Sequence, residues 1–151
     1  MTTITRSFPV NVPGEPVLSR ADLWRGLEEK ARDATRFVRA MEKCTVVEEL
    51  DNGFIRDIFI RGEEHRERIT FFPQESVLFE RIGGSTAGSI RNIIEGDEPD
   101  LTLTFVFDVH PKDLPADSPE AEALQAKIAD EYADAIRTTL ETTRRELTAG
   151  I

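Results

Sequence analysis

The sequence holds one cysteine, Cys44, and two histidines, His65 and His110, far apart in the chain. A single cysteine excludes an intramolecular disulfide and any metal site built from several thiolates. The histidines lack ligand spacing and no HExxH motif occurs, so neither a metal nor a cofactor is expected. Basic residues are scarce: 19 Lys and Arg stand against 29 Asp and Glu, a formal net charge of −10. Nucleic acid is bound through clustered Lys and Arg, and an anionic membrane surface makes the same demand. Neither is an expected partner. Long apolar runs are also missing; none approaches the ~20 residues of a membrane span. The first residues, MTTITRSFPV, carry no basic region followed by an apolar core, so a cytoplasmic setting is the expectation.

What is present suits one soluble domain spanning residues 1–151. A chain of this size buries roughly 70% of the surface its unfolded form exposes. Residues 2–12, TTITRSFPVNV, alternate as a strand, and Pro13-Gly14-Glu15-Pro16 ends it. In LSRADLWRGLEEKARD, Ser19 and Asp22 make an approximate capping box, and Leu23, Trp24 and Leu27 share one helical face. Residues 35–38 read as a second short helix, with Trp24 and Phe37 as core anchors. From Glu42 to His110 the period changes to two, in six runs separated by tight turns, an antiparallel meander. Ser118-Pro119-Glu120 then opens a helix of roughly 30 residues. Leu124, Ile128, Tyr132, Ile136 and Leu140 form its apolar stripe, and Gly150 lies near its stop.

The expected class is α+β: a seven-stranded antiparallel curved sheet wrapped around a long C-terminal helix, with two short helices after the first strand. A sheet curled around one helix tends to leave a cavity between them. The stretches PVLSRADLWRGLEEKARDATRFV, CTVVEELDNGFIRDIFI and DLTLTFVFDV, in that order of elements, resemble the helix-grip fold of the START/Bet v 1-like (SRPBCC) superfamily. Within it they look like an AtaL-like branch. The resemblance implies a deep cavity under the long helix and a hydrophobic small-molecule partner. Some members of the wider superfamily are cyclases or aromatases acting on polyketides.

Turn chemistry gives expected facings. A three-residue loop at Asp51-Asn52-Gly53, with glycine left-handed, sets Leu50 against Phe54 and Glu48 against Arg56. A two-residue Asn-Gly turn would instead set Glu48 against Asp57, like charges directly opposite, so the longer loop is preferred. Two-residue turns at Gly62-Glu63 and Gln74-Glu75 then put Arg56, Ile58, Glu67, Ile69, Phe71, Leu78 and Glu80 on the same inner face. For residues 86–95 the pattern allows either Ile90/Asn92/Ile94 or Arg91/Ile93 inward.

Glu48 and Arg56 then have two readings. They form a salt bridge that fixes register, or they meet a ligand, with Arg56 holding a carboxylate or enolate oxygen. Glu67 and Glu80 are candidate catalytic acid and base, with Arg56 as oxyanion partner; the plainer reading makes them wet rim positions. His65 reads as a rim residue and Cys44 as an inert thiol. Tyr132 either aims its hydroxyl into the cavity or satisfies it against a strand carbonyl. Apolar ligand contact is expected from Phe54, Ile58, Ile69 and Phe71 on the meander. Leu103 and Phe105 on the last strand, and Leu124, Ile128 and Ile136 on the helix, are expected to join them.

The leading functional expectation is binding of a hydrophobic or aromatic small molecule. The alternatives are a polyketide cyclase/aromatase-like or hydrolase-like enzyme using the cavity carboxylates and Arg56, and an interaction module with a filled core. A cavity on the order of several hundred cubic ångströms would eliminate the last.

Overall fold

The structure is a computed structural model describing residues 3–115 and 118–149. Strand β1 (Ile4–Pro9) leads into helix α1 (Arg20–Arg32) and a single 3-10 turn (Ala34–Arg36). The meander follows: β2 (Met41–Leu50), β3 (Gly53–Ile60), β4 (Glu63–Phe72), β5 (Ser76–Gly83), β6 (Thr86–Glu95) and β7 (Thr102–Pro111). Helix α2 (Pro119–Ala149) closes the chain, and the expected stop at Gly150 lies outside the described residues. All strands join one antiparallel sheet in the order β1-β7-β6-β5-β4-β3-β2. β1 and β2 are therefore its two edges, and the α1 segment carries the chain from one to the other.

Local chemistry accounts for the helix starts. Ser19 Oγ accepts from the Asp22 backbone N–H at 3.1 Å, and Asp22 returns the bond to the Ser19 N–H at 3.0 Å. This is the reciprocal capping box expected from the sequence. Ser118 Oγ accepts from the Ala121 N–H at 3.2 Å, with Glu120 and Glu122 in the first turn at the positive pole of α2.

The inner face of the sheet, α1 and α2 enclose one main core, in which Leu23, Leu27, Phe54, Ile69, Phe105, Phe107 and Ile136 are buried. Each such side chain contributes about 1.5–3 kcal/mol relative to an exposed one. Trp24 and Phe37 are buried, as the sequence suggested. The two helices touch where α1 has no side chain: a Cβ on Gly26 would lie 2.2 Å from Thr143 Oγ1. For β6 the open choice resolves to Ile90, Asn92 and Ile94 inward, with Arg91 exposed.

Three hairpins depart from the expected registers. Leu50 pairs with Gly53, so the first turn is Asp51-Asn52 and Gly53 belongs to the strand. Glycine is needed there for close approach rather than for a left-handed turn, since a Cβ would fall 1.8 Å from the Ile69 carbonyl oxygen. The register then shifts between Val46 and Glu48, and Arg56 lies opposite Val46 instead of Glu48. In the second hairpin Arg61 and Gly62 form the turn, with φ of 51° and 77°. The pairing moves by two residues, Arg56 meets Glu67, and the expected facing survives. In the third, Pro73 cannot donate to a ladder and joins the loop, where Gln74 takes a φ of 60°. The extra residue reverses β5: Val77, Phe79 and Arg81 face inward, and Leu78, Glu80 and Ile82 face outward.

Candidate functional site

Three charged side chains stand abreast on adjacent strands. Arg56 on β3 lies opposite Glu67 on β4, and Glu67 lies opposite Arg81 on β5. Arg56 donates from Nε and Nη2 to Glu67 Oε1 at 2.9 and 2.7 Å. Arg81 Nε donates to Glu67 Oε2 at 2.7 Å, and its Nη1 donates to Thr86 Oγ1 at 2.8 Å. Arg56 Nη1 also reaches the Ala31 carbonyl at 2.5 Å. That oxygen belongs to the last turn of α1, whose unpaired carbonyls form the negative pole of the helix. Glu67 is 1% exposed and Arg56 4% exposed. Burial pushes the Glu67 carboxyl up, but the charges and hydrogen bonds of Arg56 and Arg81 outweigh it and hold it down at about 2. Glu67 is thus a fixed anion between two cations, and the group carries a net positive charge inside an acidic protein.

A fourth polar residue completes the wall. Lys30, in the last turn of α1, is 2% exposed. Its Nζ donates to Asn92 Oδ1 at 3.0 Å and to Tyr132 Oη at 2.5 Å, while Asn92 Nδ2 donates to Tyr132 Oη at 2.9 Å. The ammonium lies 4.3 Å from the Tyr132 ring centre and 5.0 Å from that of Phe79. Burial lowers its pKa, Arg56 lowers it further, and Glu67 opposes; the result is about 7. Burial keeps the Tyr132 hydroxyl protonated by raising its pKa, against the pull of its bond with Asn92.

Lys30, Arg56, Glu67, Arg81 and Tyr132 line a pocket beneath α2, together with Ile58, Ile60, Ile90, Phe107 and Ile128. The space open to the centre of a water molecule is about 40 Å³, room for a few waters. A larger vestibule of about 350 Å³ adjoins it, between the β3–β4 and β5–β6 turns, residues 111–114 and the start of α2. Ile60, Arg61, Arg81 and Ile128 line both spaces and so stand at the boundary between them. An Arg61–Glu131 ion pair ties the β3–β4 turn to α2 at this point. His65 is 5% exposed in the vestibule wall, its pKa lowered by burial and by Arg81. Among the described residues no cluster of three or more His, Cys, Asp or Glu is placed to hold a metal ion.

Of the residues singled out from the sequence, Arg56, Ile58, Glu67, Ile128 and Tyr132 line the inner pocket, and Leu124 lines the vestibule. Phe54, Ile69, Leu103, Phe105 and Ile136 are packed in the core. Phe71 is half-buried against Trp24 and Phe54, with ring centres 5.8 and 5.7 Å away. Glu48 is exposed and takes no part in the site; the shift after Val46 turns it outward. Glu80 is half-buried on the outer face, between Arg68 and Ser89. Cys44 is half-buried, with Arg56 Nη1 3.7 Å from its Sγ.

Lys30, Arg81 and Asn92 were missed. Lys30 had a signal: it falls three residues after Leu27 and seven after Leu23, on the apolar stripe of α1. Arg81 was lost with the parity of β5.

A curled antiparallel sheet gripping one long helix defines a helix-grip fold, the fold shared with an aromatase/cyclase and a START superfamily protein. The chain belongs to the AtaL family: the model of acetylaranotin biosynthesis cluster protein L matches residues 4–150. The fold is similar to that of the Zhui aromatase/cyclase from Streptomyces sp. R1128, at 14% identity and a TM-score of 0.73, covering 97% of this chain and 95% of the other. It is similar to a START superfamily protein from Mycobacterium smegmatis, at 15% identity and a TM-score of 0.69, covering 93% and 97%. Ara h 8.0201 matches at 13% identity and a TM-score of 0.64, covering 94% and 97%. No curated protein sequence matches the chain. Among the described residues no helix is long and apolar enough to cross a membrane.

Proposed function

We propose that the chain binds a hydrophobic or aromatic small molecule between sheet and helix, its body in the vestibule and its leading group in the inner pocket. The observation that carries this reading is a polar-tipped pocket under α2 with a vestibule directly beside it, four residues lining both. Ile60, Pro111, Leu114, Leu124 and Ile128 supply apolar surface in the vestibule beside Arg61, Glu63, His65 and Asp113, and Lys30, Arg56, Glu67 and Tyr132 converge at the inner end, a pairing of apolar burial with orienting polar groups usual in small-molecule sites. The inner pocket is small, about 40 Å³, rather than the deep cavity expected, so the vestibule takes the body of the ligand. The likeness to an aromatase/cyclase is one of fold, so the ligand class rests on the lining.

The enzymatic alternative with Glu67 or Glu80 as base draws no support from this geometry. Glu67 is clamped by two guanidinium groups and Glu80 faces outward. The binding reading is tested by fluorescence titration with the apolar probe N-phenyl-1-naphthylamine. Saturable binding to the wild type, weakened about tenfold or more by Ile90→Trp filling the inner pocket, is the expected result. Binding that is absent, or indifferent to both Ile90→Trp and Ile128→Trp, overturns it.

A further inference from the structure

We infer that Lys30 captures a carbonyl group: an aromatic aldehyde or ketone seated in the vestibule reaches the inner pocket and condenses with Nζ to a protonated imine. This rests on the binding reading above and names the ligand class for the same space.

The placement is specific. The chain has four lysines, and Lys43, Lys112 and Lys127 are exposed. Lys30 alone is buried, at the inner end of the pocket, where its hydrogen-bond partners are two neutral groups, Asn92 and Tyr132. A buried ammonium without a directly bonded carboxylate is costly. The Arg56 guanidinium of the neighbouring cluster adds like charge, with Glu67 opposing it in part. Both conditions favour the free amine, the form that attacks carbonyls. At pH 7 an amine of pKa about 7 is half neutral. An ordinary lysine of pKa ~10.4 is neutral in less than about one part in a thousand.

The surroundings provide for each part of the condensation. The Nζ lone pair forms a C–N bond to the carbonyl carbon as the C=O π bond breaks. The new oxyanion takes the proton of the Tyr132 hydroxyl, which recovers one from the N–H of Lys30. The carbinolamine oxygen, protonated again from solvent through the vestibule, then leaves as water while the nitrogen lone pair closes the C=N bond. The balance is carbonyl plus amine plus one proton giving iminium plus water. No oxidant or reductant is required. The product cation stays beside the Tyr132 ring, and Glu67 faces it from the sheet.

The test uses the full chain and 2-naphthaldehyde with sodium cyanoborohydride, read by intact mass and peptide mapping. The expected result is a reduced adduct on the peptide carrying Lys30, far above that on any other lysine, with a yield that rises as pH passes upward through about 7. Lys30→Met, with folding checked by circular dichroism, should remove the adduct from that peptide and leave the other lysines at their slow background, about a thousandfold lower in free amine. Tyr132→Phe should slow adduct formation while leaving it on Lys30. No adduct, or adduct spread over Lys43, Lys112 and Lys127, overturns the inference. If N-phenyl-1-naphthylamine still binds the wild type in that case, the binding reading stands without it. If the probe also fails to bind, both fall.

Discussion

Replacing Glu67 by glutamine keeps the shape of the side chain and removes the charge that holds Arg56 and Arg81 together. The loss can be worked in two ways. In the folded protein the carboxyl titrates at about 2, against an ordinary glutamate near ~4.3. At 1.36 kcal/mol per unit this is about 3 kcal/mol of folded-state preference for the ionised form. Independently, removing one partner of a buried ion pair costs about 3–5 kcal/mol, because an uncompensated charge remains inside. A 151-residue chain has an unfolding entropy near 0.3 kcal/mol/K. The midpoint of Glu67→Gln should therefore fall by about 10 °C at pH 7. The folded pKa is depressed, so this stability is present above the unfolded pKa and is lost as pH falls from ~4.3 towards 2. Calorimetry or urea unfolding of both proteins at pH 7 and pH 3 reads the effect. The gap between them should narrow at the lower pH, where the unfolded wild type takes up a proton at Glu67 that the folded protein does not. A difference under about 1 kcal/mol at pH 7, or one that does not change with pH, would refute a charge held in place by two buried guanidinium groups.

Lys30→Met should raise stability at pH 7 by about 1–4 kcal/mol, because an apolar side chain replaces a buried cation; urea unfolding that finds it less stable than wild type contradicts this. The wild-type lysine pKa is lowered in the folded state, so its cost is full below pH 7 and fades as pH rises towards the ordinary lysine value. Gly26→Ala should lose about 1–3 kcal/mol through the clash with Thr143 Oγ1. Most of that loss should vanish in a Thr143→Ala background, and an additive double-mutant cycle would deny the contact. Arg61→Ala removes a half-exposed ion pair at the boundary of pocket and vestibule. It should change stability by less than about 1 kcal/mol, while stopped-flow dissociation of N-phenyl-1-naphthylamine becomes several-fold faster.

The fold was legible because its signals repeat. Period-two runs between tight turns and a four-residue apolar stripe on the last helix point to the same architecture, and the Ser19 and Ser118 caps mark where the helices begin. The site was less legible because it depends on register, which single residues decide. Arg56 and Glu67 were both placed on the inner face, yet Arg56 was given the wrong partner. The bulge near Val47 that moves Glu48 outward leaves no composition signal. Pro73 stands plainly in the sequence, but its effect is tertiary: by joining the loop it exchanges Glu80 for Arg81 across the sheet. Lys30 was passed over because a basic residue in the last turn of a helix ordinarily complements the helix pole in solvent. Only the tertiary placement of α1 buries it.

The polar centre draws one residue from each of three distant parts of the chain. Lys30 meets Asn92 across 62 residues and Tyr132 across 102, and Arg56 is fastened to the Ala31 carbonyl on the same turn of α1. Strands β2 to β7 can pair by neighbour-to-neighbour hairpins, but none of those hairpins brings the amine into place. The crossover segment must dock on the sheet and under the final helix before Lys30 leaves water. Its ionisation is therefore a gauge of assembly. A chain in which α1 swings away would regain an ordinary solvated lysine and lose the inner pocket at the same instant, so chemical reactivity and tertiary closure at this position rise and fall together.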